Sequence, residues 1–394
     1  MTAFARLHVD QQDIVERFQL WRVRVPLKAT MRSSQGSLNH GEKVILKLTT
    51  KAGATGLGES SVIFPGRSGE SAATIFVTLR DVYAPRLLGG NPIHVERLLE
   101  SLAPLSSEHY AFLATLCAVD LALHDLKARL LDLSLADLLG GASRIRLPLS
   151  RSLSIIPDDE LIATAQALAD TGYRLLTLKG TKNWRADIRS FERVRASLPA
   201  AVKLEFDPNQ AWTAKGALEV DRALAPLGLV CIEQPCAWWD LEAMRFVTER
   251  SQTLIAADES VLSPADAMRV IRMGAADIIN LKLAKSGGIC NSLRIAHLAE
   301  AAGLECNIGS KHPLGIGSAA LLHFSAAVPA VGEFVGYGSA LERFVGDVIN
   351  EEISIDDGKA VLPAGPGLGV TLDEPALRRF AVEAFDSADK GGAA

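Results

Sequence analysis

Five charged residues, Lys179, Asp207, Glu233, Asp258 and Lys282, each close a short apolar run, and successive members stand 28, 26, 25 and 24 residues apart. The runs are Leu175-Leu-Thr-Leu-Lys179, Val202-Lys-Leu-Glu-Phe-Asp207, Leu229-Val-Cys-Ile-Glu233, Thr253-Leu-Ile-Ala-Ala-Asp258 and Ile278-Ile-Asn-Leu-Lys282. A strand of about five residues, a helix of about twelve and two short loops fill such a step. Repeated βα units of this size close into a parallel barrel, whose reactive side chains gather at the carboxyl ends of the strands. The ladder therefore predicts an α/β chain with a polar ring at one barrel mouth.

The order of the ring carries chemistry. In an eight-stranded barrel the second and sixth strands lie opposite each other, which sets Lys179 across the mouth from Lys282. Asp207, Glu233 and Asp258 end the three strands between them and converge on one side. Three carboxylates so close repel one another unless a cation joins them. All-oxygen ligands suit a hard ion such as Mg²⁺, with Mn²⁺ as a substitute. A substrate carboxylate on that ion gains the electrophilic help that an enediolate needs, and a neutral lysine on either face can remove or deliver the α-proton.

The remaining sequence fits a metal-dependent enzyme of small molecules. The chain has 394 residues, enough for two domains, with 48% hydrophobic and 22% charged residues. A net charge of −5 gives no general attraction to nucleic acid or an anionic membrane. Five scattered cysteines without zinc spacing read as reduced thiols. The amino terminus lacks a signal-peptide core, and no apolar run is long enough to span a bilayer. A cytoplasmic homo-oligomer acting on a small carboxylate is expected.

Residues 1–145 read as an α+β capping domain. Its strands are expected at Leu20–Val25 and Lys43–Thr49, with a polar loop at Thr30–Ser37 between them and a glycine-rich loop at Gly56–Ser60. Both loops are expected to close over the barrel. Helices are expected between Ser71 and Leu139, the longest at His109–Leu131. The barrel is assigned to 146–354, with its first strand at Leu147–Ser152, its seventh at Glu305–Gly309 and its eighth beginning near Glu333. The tail, about 355–394, is expected to pack on the cap. His109 and His124 have no ligand partner at metal spacing, and Trp238 and Trp239 are expected to pack beneath a βα loop.

Thr177-Leu-Lys179, Asp207-Pro-Asn209, Ile232-Glu-Gln-Pro235, Asp258-Glu-Ser260 and Leu281-Lys-Leu-Ala-Lys-Ser-Gly-Gly288 together resemble the enolase superfamily, specifically its muconate-lactonizing-enzyme subgroup in the mandelate racemase/muconate lactonizing enzyme family. The resemblance covers nearly the whole chain. It implies a modified (β/α) TIM barrel with an α+β capping domain, Mg²⁺ held by Asp207, Glu233 and Asp258, and acid/base roles for Lys179 and Lys282. Asn209, Gln234 and Glu259 would support them. Lys285 reads as a supporting or solvated lysine. Arg151, Thr177, Lys311, His312 and Glu333 are candidates for substrate binding.

Three positions depart from the subgroup pattern. Thr177 replaces the first lysine of the usual Lys-x-Lys. Pro313 stands where relatives often carry Glu. Glu333-Phe-Val-Gly-Tyr337 lacks the Asp-x-Asp with which dipeptide epimerases hold an α-ammonium group. The resemblance implies an isomerase, either a racemase/epimerase or a muconate-type cycloisomerase. The alternatives are a dehydratase of the o-succinylbenzoate-synthase kind, a non-catalytic metal-binding relative and, from a different class, a Schiff-base aldolase.

Overall fold

The computed structural model describes residues 11–33, 36–62, 69–102 and 112–390. Three strands, β1 (Val15–Ser33), β2 (Gly36–Thr50) and β3 (Thr55–Ser61), form an antiparallel meander. Alternate residues of this sheet, including Phe18, Leu20, Val44, Leu46 and Leu48, point to one face. There they meet Ala118, Val119, Ala122 and Leu126 of the helix Leu113–Leu130.

Both expected cap loops are strand instead. β1 runs through Thr30 to Ser33, and β2 begins at Gly36, with Ser34 and Gln35 outside the described residues. The hairpin is tied to the barrel by Lys28 N–H to the Arg343 carbonyl (2.7 Å) and Ile155 N–H to the Arg32 carbonyl (3.2 Å). Gly56-Leu-Gly-Glu-Ser60 lies within β3. Its glycines serve close packing: a Cβ at Gly58 would sit 1.9 Å from the Ala118 carbonyl oxygen, and one at Gly56 2.3 Å from that of Ala122. Gly58→Ala is expected to destabilise the chain by roughly 3 kcal/mol, since backbone cannot yield as a side chain can. Urea unfolding at neutral pH measures it, and a loss under 1 kcal/mol would contradict the tight seam.

β4 (Arg146–Pro148) precedes eight parallel strands: β5 (Ser150–Leu153), β6 (Leu175–Lys179), β7 (Lys203–Asp207), β8 (Leu229–Glu233), β9 (Leu254–Ala257), β10 (Ile278–Leu281), β11 (Glu305–Ile308) and β12 (Val331–Val335). They are ordered as in the sequence, and a parallel bridge from Leu149 to Val335 brings the two ends of the sheet together as a barrel. The strand residues alternate. Leu176, Leu178, Leu204, Phe206, Ile232, Ile255, Ile279 and Leu281 are buried in the main apolar core. Thr177, Glu205, Cys231 and Asn280 line the barrel's interior. That parity turns all five ladder residues inward at the carboxyl ends.

Two strand assignments shift. The expected first strand divides at Leu149 into β4, which pairs antiparallel with the tail, and β5, which joins the barrel. The eighth strand starts at Val331 rather than near Glu333. After the barrel come β13 (Ile355–Asp356) and β14 (Lys359–Val361), a hairpin beside β4, and β15 (Ala381–Asp386), which pairs with β1.

A buried histidine joins three of these segments. His323, in the helix Gly315–Ala327, accepts from Ala136 N–H through Nδ1 (3.2 Å) and donates from Nε2 to the Leu368 carbonyl (3.2 Å). This pattern requires the neutral ring, and burial lowers its pKa to about 4. The unfolded chain takes up this proton near pH 6.5, whereas the folded one resists it until about 4. Stability should therefore fall with pH across that window, by up to about 3 kcal/mol from this group. His323→Gln should flatten this part of the pH dependence in urea titrations. An unchanged slope would remove His323 as its source.

Candidate active site

The carboxyl ends of the barrel strands open into a cavity of about 770 Å³ lined by all five ladder residues. Lys179 ends β6 and Lys282 follows β10, four strands further round the ring. Asp207 and Glu233 end β7 and β8, and Asp258 immediately follows β9. The Lys179 ammonium pairs with Asp207. Lys282 Nζ reaches Asp258 Oδ2 at 2.5 Å and Glu233 Oε1 at 3.3 Å. Lys285, rather than being solvated, is buried beneath Asp258. Its Nζ donates to Asp258 Oδ1 (2.8 Å) and to the carbonyls of Asp258 (2.6 Å) and Asn280 (2.7 Å).

The charges are strongly coupled to burial. Burial disfavours an ammonium at Lys179, but Asp207 and Glu233 outweigh it and hold the group above its usual range. The same balance, with Asp258 as the main opposing charge, lifts Lys282 well above it. Burial would raise Asp258, yet Lys282 and Lys285 keep it well below the carboxylate range. Burial, reinforced by Asp207, pushes Glu233 up to about 8. Glu233 is thus disfavoured as an anion beside its neighbours, and all donor atoms of the trio are oxygen. A hard divalent cation fits that set.

The supporting residues fix the strand ends. Asn209, at a positive φ of 47°, turns back so that its N–H and Nδ2 donate to Asp207 at 2.8 and 3.0 Å. Gln234 is fully buried. Its Oε1 accepts from the N–H groups of Asp258 (2.9 Å) and Ser260 (3.1 Å), which fastens the fourth strand end to the fifth. Glu259 lines the cavity and is pushed up to about 7 by burial and by Asp258.

Among the substrate-binding candidates, Thr177, Lys311, His312 and Glu333 line the cavity. Thr177 lies one layer below Lys179 and donates to Glu205 Oε2 (3.1 Å), a carboxyl that burial raises to about 7. Arg151 does not line the cavity. Because β5 starts at Ser150, the alternation turns Ser150 and Ser152 inward and Arg151 away, where it pairs with Glu342 at 2.7 Å. Glu333 is exposed within β12, two residues short of its carboxyl end, and its carbonyl accepts from Arg144 (3.0 Å). Trp238 and Trp239 are exposed, at 50% and 67%, rather than packed beneath a loop. Sequence reasoning missed Asn280, whose Nδ2 donates to Glu233 at 2.5 Å, and Arg343, which lines the cavity from the segment after β12. Asn280 was open to detection, since it stands two residues before Lys282 on the same face.

One further cluster lies away from the mouth. Contrary to the expectation that His124 lacks a partner at metal spacing, Asp120 stands one helical turn before it, and the fold adds Cys290, the three lying within 4.8 Å of one another. Asp120 accepts from the N–H groups of Ile289 (2.6 Å) and Cys290 (3.2 Å), at the start of the helix Ile289–Ala301. His124 Nδ1 bonds to the Asp120 carbonyl (2.9 Å). These contacts seat a cap helix on a barrel helix. His109 lies outside the described residues.

A capped barrel with an acidic trio between opposed lysines defines a class of isomerase, and comparison with known proteins identifies the family. Residues 15–140 match the mandelate racemase/muconate lactonizing enzyme N-terminal domain, and residues 160–376 match the enolase C-terminal domain-like family. The L-Ala-D/L-Glu epimerase of Bacillus subtilis is 32% identical over 357 residues, 90% of this chain and 96% of the relative. The chloromuconate cycloisomerase of Pseudomonas putida is 31% identical over 373 residues, 93% and 98% of the two chains. A dipeptide epimerase from Cytophaga hutchinsonii, solved with Mg and the dipeptide D-Ala-L-Val, superposes with a TM-score of 0.88 at 26% identity, covering 95% of this chain and 99% of its own. The chain belongs to the enolase superfamily, in its muconate-lactonizing-enzyme subgroup, and is an isomerase.

Proposed function

We propose that the chain racemises or epimerises a small carboxylate at its α-carbon, with Lys179 and Lys282 as the two acid/base groups and Asp207, Glu233 and Asp258 as ligands for Mg²⁺. The observation that carries this reading is the position of Lys179 at the end of β6 and of Lys282 just after β10, on opposite sides of one cavity. Inversion needs a base on one face of a carbon and an acid on the other. Each lysine has its own carboxylate partner, Asp207 for Lys179 and Asp258 for Lys282, so each ammonium is oriented independently. One lysine must be neutral to accept the α-proton while the other donates. Asp207, Glu233 and Asp258 would hold a divalent cation, which would supply positive charge in place of that lost ammonium and Lewis-acid help to a substrate carboxylate. Asn209, Gln234 and Lys285 hold the acidic trio in position. Asn280 anchors Glu233 from below.

Muconate-type cycloisomerisation is the second reading, favoured by the similarity to the chloromuconate enzyme. Dehydration of the o-succinylbenzoate-synthase kind is the third, because one base and the same carboxylates serve β-elimination. Incubating a carboxylate library with the enzyme and Mg²⁺ in D₂O, with α-deuteration read by NMR, tests the proposal. Deuteration at a stereocentre that also inverts supports it. Cyclisation or water loss without inversion would transfer the function to the other readings.

A further inference from the structure

The seam between cap and barrel holds a buried charge that its surroundings only half answer. Asp120, in the cap helix Leu113–Leu130, is fully buried. Among the described residues its one ion-pair partner is His124, with Nδ1 3.2 Å from Asp120 Oδ1. The backbone N–H groups of Ile289 and Cys290 satisfy its oxygens but bring no net charge. Gly288, at a positive φ of 102°, makes room for it, since a Cβ there would lie 2.4 Å from the Asp120 Cβ and 2.6 Å from Oδ1. A buried carboxylate is ordinarily matched by a full positive charge or by a metal ion.

His124 is held ready to act as a ligand. Its Nδ1 donates to the Asp120 carbonyl at 2.9 Å, which leaves the lone pair of the neutral ring on Nε2. A metal-bound histidine is usually fixed in this way through its other nitrogen. The ring is buried, and among the described residues Nε2 meets only the Cys290 Sγ, at 4.0 Å, too far for a strong hydrogen bond. Burial, with Asp120 adding to it, raises the Cys290 thiol above its usual range. One ligand atom from each of the three residues lies within 4.8 Å of the other two. With bonds of about 2.0 to 2.3 Å, a single cation reaches all three after a small side-chain adjustment.

We propose that Asp120, His124 and Cys290 bind a divalent cation of borderline softness, with Zn²⁺ the best match, and that the bound ion fastens the cap to the barrel. The three residues lie outside the lining of the cavity, so this site is separate from the acidic trio and independent of the reaction there. Mixed oxygen, nitrogen and sulfur ligands favour such an ion over Mg²⁺, which prefers oxygen alone. Binding exchanges a proton for the metal: the Cys290 S–H bond breaks, its proton goes to solvent, and the sulfur electron pair forms the bond to the ion. Nε2 contributes its free pair, and the thiolate and Asp120 balance the ion's two charges. Three protein ligands leave a fourth tetrahedral position for water. Cys290 is half-buried, and the exposed pair of Glu96 and Arg294, 3.5 Å apart, stands on its open side.

Co²⁺ is the probe, because a cobalt–thiolate bond produces a near-ultraviolet charge-transfer band that an all-oxygen site cannot give. The full-length protein is titrated with Co²⁺ in excess Mg²⁺, and Zn²⁺ is then added to displace the cobalt. The wild type should develop the band with stoichiometric Co²⁺, lose it to Zn²⁺, and unfold at a higher urea concentration with Zn²⁺ than without. Cys290→Ser and His124→Gln should each abolish the band, weaken Zn²⁺ binding by roughly 100-fold and remove the gain in urea. Without metal, Cys290→Ser should unfold at the same urea concentration as the wild type, which separates loss of a ligand from loss of the fold. Glu233→Ala, which alters only the acidic trio, should keep the band. No band in the wild type would overturn the site, as would a band that survives Cys290→Ser or vanishes in Glu233→Ala. Equal urea midpoints with and without Zn²⁺ in the wild type would overturn the fastening of cap to barrel.

Discussion

Alanine at Lys179 or at Lys282 is expected to stop inversion of configuration, with kcat falling by about 10³-fold or more, while each variant keeps α-hydrogen exchange with one enantiomer only. Removing a proton requires a single base, so the lysine left in place can still exchange the hydrogen on its own face. The two variants should therefore act on opposite enantiomers. The geometry makes the expectation specific, because the lysines stand four strands apart and are bound to different carboxylates. Loss of Lys282 frees Asp258 from one cation but leaves Lys285 in contact at 2.8 Å, so the strand end should hold its place. Loss of Lys179 leaves Asp207 with its two contacts from Asn209. NMR in D₂O on a substrate found by screening provides the measurement. A cycloisomerase or dehydratase gives a different pattern: one substitution abolishes exchange, and the wild type inverts nothing.

The barrel and its reactive ring were legible because both depend on short-range regularities. Strand parity sends every second residue inward, and the ladder residues share one parity and one height in the barrel. The same logic reaches Asn280 from Lys282. What stayed hidden depends on partners far along the chain. Gly56 and Gly58 look like a loop locally, and only the Ala118 and Ala122 carbonyls explain why no side chain fits there. Arg151 turns on a single residue of register, since the strand's break at Leu149 decides which neighbours face inward. Lys285 reads as ordinary until Asp258 and Asn280 enclose it. Arg343 lies outside any periodic segment, so no pattern marks it. Asp120 and His124 stand one helical turn apart, but Cys290 joins them across a seam between cap and barrel, at a sequence separation that no spacing rule covers.

Replacing Asp207, Glu233 or Asp258 by alanine is expected to abolish activity and to weaken Mg²⁺ binding by about 100-fold or more, since each removal leaves an incomplete site for a hard cation. The three variants should differ in what else they disturb. Asp258 is the shared partner of Lys282 and Lys285, both enclosed by the barrel, so Asp258→Ala leaves two ammonium groups competing for Glu233 and backbone carbonyls. It should be the least stable of the three, because stranding a buried charge costs more than losing one ion pair. Asp207→Ala strands only Lys179, which is partly open to the cavity. Glu233→Ala removes the carboxyl that its neighbours already disfavour as an anion, so it should perturb folding least while still losing the cation. Calorimetric titration of Mg²⁺ and urea unfolding of the same samples separate the two effects. Unchanged Mg²⁺ affinity in any two of the variants would refute the ligand assignment. A stability order with Asp258→Ala the most stable would refute the account of the buried lysines.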